Sequence, residues 1–411
     1  MMEAWIIDAA RTPRAIGKKG KGALADIHPQ RMLSPVLRAL AERNSLNIED
    51  IDDVIAGCGM QRGKQGSCIA RMSALDAGWG NSAVGVTLDR FCGSGLTAVN
   101  MAAMGIMSGL QNLVVAGGVE SMSGYADAGG ASFPILDNNN MHLRAIHPQP
   151  HQGVCADVIA TLEGISREET ERLAVQSQQR ADHAIKNGYF DKSLVPVYHD
   201  DGTLALDKEE FPRPQTTLEG LAGLNPAFAG LYDYPLDEEG ITYKKLVQQT
   251  YPELDVNFIH HAGTSSGIVD GAAALVLASP EYAKANGLKP RARIITATTA
   301  GDSPELMLNA PAPAARKALK MAGMKMEDID LVEINEAFAV VPLKFMREMN
   351  VDQSIVNVNG GAMALGHPIG ATGAVILGTL LDEMERRDLK TGMATLCAAG
   401  GMAPCTIIER I

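Results

Sequence analysis

The sequence predicts an α/β fold of two duplicated β/α halves, layered helices on mixed, mostly parallel sheets, with a loop domain inserted between them. Three observations predict it. At 411 residues and 46% hydrophobic, the chain can fill more than one core. Apolar strand-like runs alternate with helical patterns, which favours sheets covered by helices. One segment also repeats: "ALAERNSLNIEDIDDVI" at 39–55 is echoed by "ALKMAGMKMEDIDLVEI" at 318–334.

The echo continues downstream. "CGSGLTAVNMAAMGIMSG" at 92–109 is a glycine-rich neck opening an apolar helix, and "GHPIGATGAVILGTLLDEM" at 366–384 has the same design. Each leads to an apolar strand ending in small residues, "LVVAGGVES" at 113–121 and "ATLCAAGGMA" at 394–403. The halves are therefore placed at 1–120 and 262–411. The segment 121–261 differs, being rich in Pro, His, Asn, Asp and Tyr. It carries one amphipathic helix with an S-x-x-E capping box at Ser166 and Glu169, so it is read as a folded lid over the two halves.

Bulk properties narrow the function. A net charge of −12 argues against a nucleic-acid binder. Six cysteines at 58, 68, 92, 155, 397 and 405 form no C-x-x-C pair, which suits free thiols in a reducing compartment. No run reaches the ~18 apolar residues of a membrane span, and neither end carries a recognisable address. The expectation is a cytoplasmic protein. His260 and His261 are adjacent and diverge, with no third ligand at matching spacing, so no metal site is expected. No dinucleotide or P-loop fingerprint occurs.

Four residues carry chemistry. Cys92 opens an apolar helix, whose positive end lowers a thiol pKa, and Gly93 and Gly95 let a substrate approach the backbone. An inert core cysteine fits the same window. His367 lies in the glycine-dense "NGGAMALGHPIGATGA", with Pro368 at the expected helix start. A histidine there can take a thiol proton or donate to an oxyanion, unless it is a satisfied surface residue. Asn335, in "VEINEAFAV", can hold a water or donate to developing charge, though helix capping accounts for it equally. Cys397, in "TLCAAGGMA", suits a proton carrier. If the halves pack about a pseudo-twofold axis, Cys92, His367 and the strand end at Cys397 meet.

Taken together, "FCGSGLTAVNMA", "VAGGVESMS", "NEAFA", "GGAMALGHPIGATGA" and "CAAGGMA" resemble the thiolase family, in order and nearly end to end. "EEFPRPQTTLEGLAGLNPAF" at 209–228 resembles its loop domain. The resemblance implies the thiolase fold, a homodimer or dimer of dimers, coenzyme A as co-substrate and no permanently bound cofactor. By matched position it implies Cys92 as the acylated nucleophile and His367 as its base. His367 and a water held by Asn335 face the enolate oxygen, and Cys397 protonates the enolate. The N–H groups of Cys92 and Ala399 form the acyl-enzyme's oxyanion site. Ser266 and Gly153 stand at substrate-contacting positions.

The chain departs from the family at Asp89, often Asn, and at Thr264, usually Asn. Ala399 replaces a glycine, where a left-handed backbone would cost about 1 kcal/mol. Gln152 stands where many synthetic members have Met. An extra acidic, Tyr-rich piece over 230–261 is placed to reshape the acyl tunnel or to bind a partner.

"RFCGSG", "ADVIATLEGISRE" and "HHAG" resemble the degradative 3-ketoacyl-CoA thiolases. These include thiolase subunits that work beside a hydratase/dehydrogenase subunit in fatty-acid oxidation complexes. The expected reaction is cleavage of 3-ketoacyl-CoA to acetyl-CoA and a shortened acyl-CoA. Three alternatives stand beside it: an acetoacetyl-CoA thiolase joining two acetyl units, a non-catalytic acyl-CoA or lipid binder, and a decarboxylating condensing enzyme. Joint retention of Cys92, His367, Asn335 and Cys397 disfavours the binder, and Cys397 disfavours the condensing enzyme.

Overall fold

The computed structural model describes residues 3–125, 136–237 and 240–411. Among these residues, two half-sheets join at a seam. The first contains β1 (Trp5–Arg11), β2 (Asp53–Gly57), β3 (Val86–Leu88), β4 (Leu113–Ser121) and β5 (Val269–Ala278). The second contains β6 (Ala292–Gly301), β7 (Leu331–Ile334), β8 (Thr391–Thr395) and β9 (Met402–Arg410). The strand order is β7-β8-β9-β6-β1-β5-β4-β2-β3.

Both half-sheets follow one plan outward from the seam. β1 with β5 and β6 with β9 are antiparallel, as are β5 with β4 and β9 with β8. β4 with β2 and β8 with β7 are parallel. β3 lies parallel outside β2, and a single parallel bridge from Val356 to Val332 stands in its place outside β7. The seam is antiparallel, with Trp5 opposite Arg293 and Ile6 opposite Ala292.

This topology corrects the boundary at 262. β5 lies beyond that point in sequence, yet it pairs on both sides with strands of the first half. The repeat restarts only at β6. Sequence order gave no hint of this, because β5 and β9 are both buried strands and only their hydrogen-bond partners distinguish the units.

The helices used below are α1 (Pro29–Arg43), α2 (Ser94–Met107), α3 (Gln152–Leu162), α4 (Arg167–Lys186), α5 (Pro311–Ala322), α6 (Val340–Met349) and α7 (Thr372–Arg386). The repeated "EDID" segments occupy equivalent places, α1 leading to β2 and α5 leading to β7. The inner strands β4 and β5 are buried along their whole length because both faces are covered, whereas β6 alternates between buried and half-buried residues. Along β5, Ala272, Ala274 and Val276 face α1, whereas Ala273, Leu275 and Leu277 face the central layer of α2 and α7. α5 covers the second half-sheet from outside, against Val332, Met393 and Ile407.

α2 and α7 approach so closely that only glycine fits between them. A Cβ on Gly373 would sit 2.0 Å from Leu96 N, and one on Gly95 would sit 2.7 Å from Gly370 O. The helix openings of the two units therefore meet, backbone against backbone.

The insert folds onto this frame. Its capping box forms as read, with Ser166 and Glu169 bonded reciprocally at the start of α4. Glu209 ties the insert to the first unit by accepting from Arg14 N at 2.8 Å and pairing with Arg11 at 2.7 Å. Burial pushes its pKa up, but Arg11 and Arg14 prevail and hold it at about 2. The described part of 230–261 packs Tyr232, Leu246, Val247 and Ile259 against Val154, Val158 and Ile159 of α3. No helix among the described residues is long and apolar enough to cross a membrane.

Candidate active site

Cys92 follows a tight elbow between β3 and α2. Phe91 adopts φ +49°, a left-handed conformation that costs a non-glycine residue about 1–3 kcal/mol. Two side chains hold the turn. Asp89 Oδ1 accepts from Phe91 N at 2.7 Å, while Ser94 Oγ accepts from Arg90 N at 2.8 Å and donates to Phe91 O at 2.6 Å. Asp89 thus has a definite task in this chain.

Helix position does not make Cys92 a resting thiolate. Burial dominates and pushes its pKa up to about 12; its own backbone N–H acts in the opposite direction, and Glu120 and Asp89 raise it further. The expectation of a lowered pKa is therefore reversed, because desolvation outweighs one helix terminus. At neutral pH Cys92 is a thiol, and exposing its thiolate would take a base.

His367 has the properties of such a base. The helix begins at Thr372, not at Pro368; Pro368 instead forms the preceding turn, its carbonyl accepting from Ala371 N and Thr372 N. Thr372 Oγ1 donates to Pro368 O at 2.9 Å, so at 2.5 Å it must accept from His367 Nδ1. The proton is thereby placed on Nδ1, leaving the Nε2 lone pair available. Nε2 is buried without a protein partner. Burial lowers the His367 pKa to about 4, so the ring is neutral.

Glu120 ties the two units together beside these segments. Its Oε2 accepts from Gly59 N and from Gly370 N, each at 2.8 Å, and its Oε1 accepts from Met60 N at 3.1 Å. One carboxyl from the end of β4 therefore holds the turn between His367 and α7. Three N–H donors suit an ionised carboxyl, whereas burial pushes its pKa up to about 7.

Asn335 sits at the end of β7, its N–H donating to Thr395 O at 3.2 Å beside the strand end that carries Cys397. It caps no helix: α6 begins five residues later, and both polar atoms of the Asn335 amide are buried without a protein partner. Burial raises the Cys397 pKa, and nearby Cys92 adds to it. Ala399 avoids the left-handed region; Gly400 and Gly401 adopt it at φ +77° and +73°. The cost foreseen for Ala399 does not arise. Neither Cys92 nor Ala399 donates its N–H in the described backbone hydrogen bonds.

Ser266 and Gly267 stitch the site's segments together. Ser266 N donates to Ala337 O at 2.9 Å, and His367 N donates to Gly267 O at 2.9 Å. Thr264 is structural, its hydroxyl accepting from His261 N at 3.0 Å and its carbonyl from Ala339 N at 2.9 Å. Gly153 faces Phe228, whose ring a Cβ there would meet at 2.3 Å, and Phe228 packs edge-on to Phe338 in the Asn335 loop.

The adjacent pair His260 and His261 have carboxylate partners. His260 Nδ1 lies 2.7 Å from Asp157 and His261 Nε2 lies 3.1 Å from Glu171. Among the described residues no group of three or more His, Cys, Asp or Glu is arranged to hold a metal.

Sequence reasoning passed over Glu120, Thr372 and Glu333, and met Glu336 beside Asn335 without giving it a role. Glu336 accepts from Ser177 Oγ, Asn357 Nδ2 and Met363 N, which fixes the glycine-rich loop before His367. Glu120 and Glu333 did leave a signal: each is a lone carboxylate inside an apolar strand.

The "Thiolase, N-terminal domain" family model matches residues 4–231, and the "Thiolase, C-terminal domain" model matches residues 288–410. The chain belongs to the thiolase family.

Among full-length relatives of this thiolase is steroid 3-ketoacyl-CoA thiolase FadA6 of Mycobacterium tuberculosis, 40% identical over 419 residues, covering 100% of this chain and 95% of that protein. Beta-ketoadipyl-CoA thiolase of Pseudomonas putida is 38% identical, with 100% of both chains covered. The crystal structure of the Bacillus anthracis acetyl-CoA acetyltransferase superposes with a TM-score of 0.83 at 35% identity, covering 100% of this chain and 99% of that one. As a thiolase, this protein is an acyltransferase enzyme with the expected fold.

Proposed function

We propose that this thiolase cleaves 3-ketoacyl-CoA with coenzyme A, yielding acetyl-CoA and a shortened acyl-CoA through an acyl-Cys92 intermediate. The observation that carries the reading is the fixed His367 tautomer, a buried neutral base with Nε2 free, on a turn tied to the Cys92 unit through Glu120.

The steps follow from the groups present. His367 Nε2 takes the Cys92 proton as sulfur attacks the 3-keto carbon, since a thiol with a pKa near 12 supplies almost no free thiolate. The N–H groups of Cys92 and Ala399 receive the oxyanion. C2–C3 cleavage releases the enolate of acetyl-CoA, whose oxygen faces His367 and an Asn335-held water, and Cys397 delivers a proton to its carbon. Coenzyme A, deprotonated by Cys397, then takes the acyl group from Cys92, and the departing Cys92 sulfur recovers its proton from His367. Ser266 and Gly153 line the path of the thioester.

We place the enzyme in the cytoplasm as a homodimer or dimer of dimers, with no resident cofactor. β3 supports association, being an edge strand of its half-sheet with Val86 exposed. The relatives' names include 3-ketoacyl-CoA and beta-ketoadipyl-CoA thiolases, in keeping with cleavage of a 3-ketoacyl-CoA; others, at 39% identity, are named acetyl-CoA acetyltransferase, so joining of two acetyl units stands as the second reading.

Thiolysis measured across 3-ketoacyl chain lengths, with mass spectrometry of Cys92, tests the reading. An acyl adduct on Cys92 and CoA-dependent cleavage are expected. Near-normal turnover by Cys92→Ser, or full thiolysis by Cys397→Ala, would remove the assigned roles.

A further inference from the structure

Behind the Asn335 loop lies an internal chamber with about 20 Å³ open to the centre of a water molecule, enough for one water. Its walls include Glu333, Asn335, Thr372, Thr379 and Arg14. Glu333 and Asn335 alternate at the end of β7, which puts both on one side of the strand. Glu333 is 4% exposed, and no described side-chain hydrogen bond reaches its carboxyl. Asn335 has two buried amide atoms without a protein partner. Thr372 is the residue that sets the His367 tautomer. Five polar side chains thus line a space the size of one water; among them Asn335 belongs to the proposed reacting set and Thr372 contacts His367.

We propose that Glu333 is a positioning residue: its carboxyl, through one water held in this chamber, orients the Asn335 amide and the Thr372 hydroxyl behind His367. The inference rests on the thiolysis reading of the site. A carboxylic acid suits this task because it donates through O–H and accepts through C=O, giving a water two directed contacts. Glu333 keeps its proton: burial raises its pKa well above the ordinary range, Glu336 and Glu383 add to this, and Arg14 and Arg180 oppose it. Glu336 is committed to Ser177, Asn357 and Met363, and Glu383 to Asn359, Arg386 and Arg387, which leaves Glu333 as the carboxyl facing the chamber.

The full-length enzyme tests this with Glu333→Gln and Glu333→Leu. Gln keeps a donor and an acceptor at similar size; Leu keeps volume and removes both. Gln should stay within about threefold of the parent kcat, and Leu should lose about tenfold to a hundredfold in kcat with KM changed less than threefold, the scale of misorienting a reacting group. Alkylation of Cys92 by iodoacetamide supplies a readout that needs no turnover: it should slow in Leu and not in Gln, with thermal midpoints alike. Parent-like kcat and alkylation in Leu would overturn the proposal. So would equal losses in Gln and Leu that track a lowered thermal midpoint. A parent that alkylates normally but performs no thiolysis would sink the thiolysis reading instead, and the alkylation series would still decide the role of Glu333.

Discussion

Thr372 Oγ1 lies 2.5 Å from His367 Nδ1 while donating its own proton to Pro368 O. The hydroxyl can only accept from the ring, so helix α7 selects the histidine tautomer. Thr372→Val removes the acceptor and should slow acylation of Cys92 about tenfold to a hundredfold, the range of general-base effects. Thr372→Ser should restore most of the rate. Burst measurements of acyl-enzyme formation check both; a Val variant with the parent burst rate would show that the tautomer is fixed elsewhere.

Glu120 binds three backbone N–H groups from both units. In Glu120→Gln an amide N–H must oppose one or two of these donors. The expected loss is about 2–4 kcal/mol of stability, the cost of an unsatisfied buried donor plus a lost charged bond. Denaturant unfolding measures it. A Gln variant as stable as the parent would mean that Glu120 is protonated and already presents a donor.

The pH profile should separate activity from stability. His367 must be neutral to act, and burial holds its pKa at about 4 instead of 6.5. Acylation per folded enzyme should therefore persist through pH 6.5 and fall only toward about 4. For the fold, a depressed histidine pKa means stability is lost as pH drops from 6.5 toward the folded value. Glu120 and Asp270, with pKa values raised by burial to about 7 and about 6, act in the opposite direction and favour the fold as they protonate. Burst rates corrected by circular dichroism check the claim; an acid limb centred at 6.5 would contradict a buried His367.

Gly373→Ala should be damaging although it adds a single methyl group. Its Cβ would lie 2.0 Å from Leu96 N, so α2 and α7 must separate. Overpacking of this kind costs about 1–3 kcal/mol, and more when backbone must move. The thermal midpoint and the acylation rate should fall together. Gly220→Ala, where the nearest atom would lie 3.4 Å away, should leave both unchanged.

The duplicated halves were legible because EDID and the two glycine-rich helix openings recur at matched places. The capping box at Ser166 was legible for the same reason: local chemistry sufficed. β5 was assigned to the wrong unit because pairing across the insert leaves no trace in its own residues. The Cys92 thiol was read too acidic, since a helix terminus is visible in sequence and burial is not. Glu120 and Thr372 were missed because their roles depend on which backbone atoms face them. Ala399 looked strained on paper, but the turn places its left-handed residues at Gly400 and Gly401.

β5 sits between β1 and β4, yet it is translated some 150 residues after β4. On the ribosome, the first unit must wait with two unpaired strand borders until the insert and β5 emerge. A nascent chain halted before residue 269 cannot complete its own sheet, however well its helices form. Biogenesis of this enzyme is therefore gated by late synthesis of one interior strand, and premature termination within the insert should yield aggregating fragments instead of a folded amino-terminal module.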